Sequence, residues 1–218
     1  MLLTLGNVSL GLISIYLVIH GNYSLAGILV ILAALLDGMD GWVARKLGVA
    51  GNAGAWADTI ADIFSFGIAP SFFIAHVGGQ RSYLIVAVFY FVAIILRLVR
   101  YHLKPMPRGV YLGLPSPSTA LTMVAITVLE TRGILPAGTS IYGGLILGLL
   151  AVSPIKFPSW YNPVLRFLPL PGMYIFLGIA LVAALFWTME VLLVMLIFYI
   201  ILAPFLLHYK VRSNDNTR

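Results

Sequence analysis

No cysteine occurs in the chain, which excludes disulfides and thiolate metal sites and leaves the redox compartment unspecified. Charge is nearly as scarce. Only 9% of the 218 residues are charged, against roughly 25% in a soluble domain. No sequence period of roughly 20–50 residues recurs, which excludes a repeat array. The alternating segments of about ten residues that mark a membrane β-barrel are missing too. In their place stand unbroken runs such as LIVAVFYFVAIIL.

These runs make up most of the chain, which is 61% hydrophobic. Each is near the roughly 20 residues that carry a helix across a hydrocarbon core. They predict an all-α, polytopic membrane protein of about eight transmembrane helices, at about 2–19, 24–45, 54–77, 82–102, 115–132, 139–153, 171–187 and 188–209. The shortest is 139–153, and the division near 187 rests on the length of the run alone. The first run has no basic segment before it and no small-residue cleavage site after it, so it reads as a span and not as a signal peptide.

The net charge of +6 is explained by how the cations are distributed. With eight spans and an inside amino terminus, one set of span ends and loops holds Arg45, Lys46, Arg97, Arg100, Lys104, Arg108, Lys156, Arg166, Lys210, Arg212 and Arg218. The other set holds Arg81 and Arg132. This positive-inside bias puts both termini in the cytoplasm and removes any need for a nucleic-acid partner. A single transmembrane domain over 1–210 is expected, with its polar information concentrated before about residue 120, followed by a short polar tail at 211–218. The segment SPIKFPSWYNPVLRFLPLPG reads as an interfacial connection whose Trp160 and Tyr161 suit the headgroup layer.

Four of the seven acidic residues, Asp37, Asp40, Asp58 and Asp62, fall within 26 positions. Spacings of three and four put each pair on one helix face, and the glycine-bearing turn RKLGVAGN joins the two helices. An ionised aspartate deep in a bilayer costs about 3 kcal/mol on insertion scales, and neighbouring carboxylates repel one another. Helix capping, or salt bridges to Arg45 and Lys46, would serve one or two of the four. A hard divalent cation would serve all of them, and two such ions suit phosphoryl displacement. Gly41, Ala44 and Gly54 lie near the carboxylate faces, where missing side chains leave room for a flat or phosphate-bearing ligand, or equally for a close helix contact. Arg45 reads as a phosphate partner or a topological anchor.

The pattern Asp37-x-x-Asp40-Gly41-x-x-Ala44-Arg45, eight residues, Gly54-x-x-x-Asp58-x-x-x-Asp62 resembles the full signature of the CDP-alcohol phosphotransferases, in every defining residue and every gap. The resemblance implies a six-helix catalytic core plus two further helices, and a homodimer. It implies transfer of a phosphatidyl-type group from a CDP-linked lipid to an alcohol, with release of CMP. By the same resemblance, Asp37, Asp40, Asp58 and Asp62 hold two Mg²⁺ or Mn²⁺ ions, and Asp62 is also the catalytic base. Gly41, Ala44, Arg45 and Gly54 then line the site of the CDP moiety, on the cytoplasmic side of the cell membrane.

Thr4-Leu5-Gly6-Asn7 with Gly11, Arg97-Leu-Val-Arg100-Tyr and Gly113-Leu-Pro-Ser-Pro117 are similar to the phosphatidylserine synthase branch. Tyr101 and His102 depart from that branch, which often has phenylalanine and asparagine there. L-serine is therefore the expected acceptor, its carboxylate gripped by Arg97 and Arg100. Glycerol 3-phosphate or an inositol phosphate would suit the same arginines. Pro115 and Pro117 are expected to break the chain before the fifth span, with Ser116 or Ser118 as its cap. A cation or proton transporter is the alternative from another class, and a non-catalytic scaffold would leave the four acids unexplained.

Overall fold

The computed structural model describes residues 2–46, 52–103, 110–158 and 188–215. Helix α1 (Leu2–Ile19) turns back into α2 (Tyr23–Lys46). Next come α3 (Asn52–Asp62), a π-helical segment (Ile63–Ile68) and α4 (Ala69–Val77), one continuous helical rod. Helix α5 (Arg81–Leu103) leads to strand β1 (Val110–Leu112), followed by α6 (Ser116–Thr131), α7 (Thr139–Val152), strand β2 (Lys156–Pro158) and α8 (Thr188–Asp215). Among the described residues, three stretches are long and apolar enough to cross a membrane: Tyr23–Asp40, Trp56–Val77 and Arg81–Tyr101. The expected span at 171–187 lies outside the described residues, as do Trp160, Tyr161, Lys104 and Arg108.

Helix α5 shows why such a chain can be apolar on two faces. Leu84, Val88, Val92 and Leu96 form an exposed stripe at four-residue spacing, while Val86, Ala87, Tyr90, Ala93 and Ile94 are buried. Lipid tails are as apolar as leucine, so the buried face is held by close packing more than by expulsion of water. One packed group joins Val18, Val30, Phe73, Val124 and Val128 with Met189 of α8. A second joins Ile74, Tyr90, Ile94, Leu114, Met123 and Leu147. Helix α6 packs on α2, α4, α7 and α8, so it ties the two groups together.

Three features depart from the sequence-based expectation. The span expected at 54–77 is interrupted by the π-helical turn directly after Asp62. Pro70 has no N–H to donate to the Phe66 carbonyl four residues back, and its ring crowds that carbonyl. The wider turn relieves the crowding: Ala69 N–H bonds back to Phe64, and the buried Tyr90 hydroxyl donates to the Phe66 carbonyl at 3.3 Å. The connection after α7 is not a plain loop. Its residues Lys156–Pro158 pair antiparallel with Val110–Leu112, Tyr111 opposite Phe157, which adds a two-stranded ribbon to the all-α expectation. Finally, α8 continues through Asp215, so most of the expected polar tail is helical. Nothing between Pro204 and Asp215 breaks a helix, and the lysine and arginine there favour one.

Candidate active site

The α1–α2 hairpin, the α3–π–α4 rod and the end of α5 bring the polar residues together. Asp37 and Asp40 lie on α2, Asp58 and Asp62 on α3, and all four are partly buried. The Asp37 carboxyl is within hydrogen-bonding reach of Asp62, and Asp58 and Arg97 are close enough to Asp62 to act on it electrostatically. Asp40 accepts a hydrogen bond from the Thr4 hydroxyl on α1. Asp37 on α2 and Asp62 on α3 thus face each other. Gly41, Ala44 and Arg45 occupy the last turns of α2, and Gly54 lies in the first turn of α3. Their surroundings lie outside what is described.

Helix α1 closes on this region because Gly11 lets it. A Cβ on Gly11 would lie 2.7 Å from Ser65 Oγ and 3.1 Å from Ser65 Cα, inside contact distance. The Ser65 hydroxyl, in the π segment, donates to the Asn7 carbonyl at 2.9 Å. Asp62 immediately precedes that segment. Such π turns recur at functional sites.

The two arginines, alike in sequence, have different surroundings. Arg97 is 8% exposed; its Nη1 donates to Ser116 Oγ, and its Nε is buried without a partner. Besides Asp62, it lies near Arg100 and the Tyr101 and Tyr111 phenols. Arg100 is spent on backbone. Nη1 donates to the carbonyls of Val152 (2.7 Å) and Ser153 (3.3 Å), and Nη2 to those of Leu112 (2.7 Å) and Ala151 (3.3 Å). These carbonyls belong to the end of α7 and to β1, so Arg100 clamps the ribbon to the bundle. Gly113 completes the clamp: its φ is +76°, and a Cβ there would lie 2.1 Å from the Ala151 carbonyl oxygen. Such a φ is costly for any residue with a Cβ. Ser116 is the first residue of α6 and serves Arg97. The cap position is Pro115, which has no side-chain acceptor to offer, so the expected serine cap is not found.

Whether these residues suit a divalent ion can be tested on their chemistry. Among the described residues, no three histidine, cysteine or acidic side chains stand as a ready-formed metal site. The donor set nonetheless fits a hard cation. It is oxygen only, Asp37 and Asp62 are in contact, and Asp62 Oδ1 is sealed from solvent with no hydrogen-bond partner. Such a buried acceptor is costly unless something fills its place.

A helical membrane scaffold that brings Asp37 of α2 to Asp62 of α3 beside Arg97 defines a class, and the sequence comparisons place the chain within it. Residues 1–152 match the CDP-alcohol phosphatidyltransferase family, and the chain belongs to that family. It is 32% identical over 161 residues to the CDP-diacylglycerol–serine O-phosphatidyltransferase of Methanocaldococcus jannaschii, covering 74% of each chain. It is 33% identical to the archaetidylserine synthase of Methanothermobacter thermautotrophicus, over 72% of this chain and 68% of the other. It is 29% identical to the CDP-diacylglycerol–serine O-phosphatidyltransferase of Helicobacter pylori strain J99, over 83% and 86% respectively. The family match ends where α7 ends. Beyond that point, β2 and α8 pack onto matched elements, β2 on β1 and α8 on α6. The protein is a CDP-alcohol phosphotransferase.

Proposed function

We propose that this enzyme transfers a phosphatidyl-type group from a CDP-linked lipid to the hydroxyl of L-serine and releases CMP. The observation that carries this reading is the buried contact of Asp37 with Asp62 beside Arg97. The bond between the lipid-bearing phosphorus and the bridging oxygen of the pyrophosphate breaks, and a bond forms between that phosphorus and the serine oxygen. The serine hydroxyl proton passes to Asp62, and the bond's electrons leave with CMP. An alcohol is almost wholly protonated at neutral pH, so a positioned carboxylate lowers the barrier to its attack.

Asp37, Asp40, Asp58 and Asp62 would hold two Mg²⁺ or Mn²⁺ ions, which when bound balance charge on the pyrophosphate. Gly41, Ala44, Arg45 and Gly54 take the CDP moiety, as the family resemblance implies. Arg97 faces the serine carboxylate. Arg100, engaged by four carbonyls, holds the ribbon whose chain continues into Ser116, and so positions Arg97 from behind. The names of the relatives support serine as acceptor, and with both diacylglycerol- and archaetidyl-type names among them they support an ester or an ether donor. The cation distribution supports a site open to the cytoplasm with both termini on that side. Homodimerisation follows the family resemblance.

The test is CMP release by the purified protein with Mg²⁺ or Mn²⁺, a CDP-linked lipid and a panel of alcohols. Serine-dependent release is the expected result. Release with glycerol 3-phosphate or an inositol phosphate alone would overturn the acceptor and keep the chemistry. No release with any acceptor, in lipid and with metal, would overturn the transferase reading.

A further inference from the structure

Asn7 takes no part in the chemistry above, yet three contacts hold its stretch of α1 against the aspartate-bearing helices. Thr4, one turn earlier on α1, donates to Asp40. Gly6 meets Leu36, the residue before Asp37: a Cβ on the glycine would lie 3.1 Å from Leu36 Cδ1. Ser65, three residues beyond Asp62, donates to the Asn7 carbonyl. Asn7 therefore stands between the aspartate-bearing stretches of α2 and α3, one turn deeper than Thr4. It is 2% exposed, and its Oδ1 has no hydrogen-bond partner.

A buried carboxamide oxygen without a donor costs about 1–3 kcal/mol, and an apolar residue of the same shape would avoid that cost. Asp62 Oδ1 is a second buried acceptor left without a donor. A bound donor or cation would serve either oxygen. We propose that Asn7 is a ligand-binding residue of the active site, giving a neutral oxygen to a positively charged group held at its deep end, beside Asp37 and Asp62. A divalent ion and the ammonium of the acceptor share this chemistry, since each takes oxygen ligands. A neutral oxygen suits the position because it adds a ligand without adding charge to four carboxylates that already repel. The ammonium source rests on the proposed function, whereas the ion source does not require turnover.

The experiment uses full-length Asn7→Leu and Asn7→Asp in detergent or nanodiscs. Mn²⁺ binding is measured without substrates, from the loss of the free-ion EPR signal, and serine KM is measured from CMP release. Replacing a group that orients or ligates a metal typically costs ten- to a hundredfold in affinity, so Asn7→Leu is expected to weaken Mn²⁺ binding by about tenfold. Asn7→Asp, which keeps an oxygen in place, restores it. A rise of about tenfold in serine KM with Mn²⁺ binding intact would instead identify the ammonium as the group held. An amide with only a structural role predicts neither change, and predicts that leucine leaves the thermal unfolding midpoint level or higher. If Asn7→Leu keeps both Mn²⁺ affinity and serine KM within about twofold, the proposal is overturned. Asn7→Ala carries the same readouts should the leucine variant not fold. A parent protein that binds Mn²⁺ but releases no CMP would sink the transferase reading while the Mn²⁺ measurement still decides on Asn7.

Discussion

Glu130 and Asp62 are both carboxylates held among packed helices, and the fold treats them in opposite ways. Glu130, in the last turn of α6, is engaged at both oxygens. Its Oε1 accepts from the Tyr83 hydroxyl at 2.9 Å and from Gly138 N–H at 2.7 Å, and its Oε2 accepts from Ser140 N–H at 2.7 Å. Two of these donors stand at the amino terminus of α7, where helix amides have no partner of their own and the helix dipole favours an anion. Asp62, at the other end of the bundle, faces a second carboxyl and keeps one oxygen without any donor. The arginines repeat the contrast, Arg100 filled by four carbonyls and Arg97 with a buried, unpartnered Nε. A charged group whose hydrogen bonds are complete inside the chain is a fastener. One left incomplete in a dry place is waiting for a ligand.

The sharpest way to break this comparison is to neutralise both acids. Asp62→Asn removes the group assigned to take the serine proton, and general-base loss is worth about 10²–10⁴ in rate. Turnover should fall about a thousandfold or more, while binding of the CDP-lipid, followed by equilibrium dialysis, remains measurable. Glu130→Gln should do the reverse. It loses charge-assisted bonds at a helix terminus, for about 1–2 kcal/mol of stability. The unfolding midpoint should drop while kcat per folded enzyme holds. Equal losses of rate in the two variants would end the distinction between fastener and ligand site.

The arginine pair sharpens the same contrast on a smaller scale. Arg97→Lys keeps the charge but loses the planar fork that grips a carboxylate at two points. Serine KM should rise about ten- to a hundredfold with a smaller change in kcat. Arg100→Lys leaves several of the four carbonyls without a donor and should chiefly lower the unfolding midpoint, with serine KM nearly unchanged. A KM effect confined to Arg100→Lys would return the acceptor contact to that residue.

The sequence made the helices and the aspartates readable for different reasons. Apolar run length is a property of the chain alone, so the bounds of α1, α2 and α5 could be placed almost to the residue. Asp37, Asp40, Asp58 and Asp62 stood out because burying charge in lipid is expensive, and their spacing matched helix faces. Arg97 and Arg100 could not be told apart, because the groups that engage Arg100 are backbone carbonyls, which have no signature in a sequence. The ribbon was hidden for a related reason. Three-residue strands show no alternation, and Val110 meets Pro158 only once α6 and α7 have folded between them. Asn7 did carry a signal, a lone amide within an apolar run, but its isolation shows its meaning only after α1 is seen packed against Ser65.

The π turn after Asp62 offers the smallest and most local test, because it links a fastener to the catalytic end. Pro70 leaves the Phe66 carbonyl without its usual helix donor, and Tyr90 supplies one from α5. At 3.3 Å that bond is long for a hydroxyl donor, so Tyr90→Phe should cost no more than about 1 kcal/mol of stability. The ring stays packed, and no cavity opens. If the bond also holds the π turn in shape, Asp62 should feel its loss, and kcat should fall about two- to fivefold while serine KM stays constant. An unchanged kcat with the small drop in stability would make Tyr90 a fastener like Glu130, and would leave the shape of the turn to Pro70 and to the close approach at Gly11.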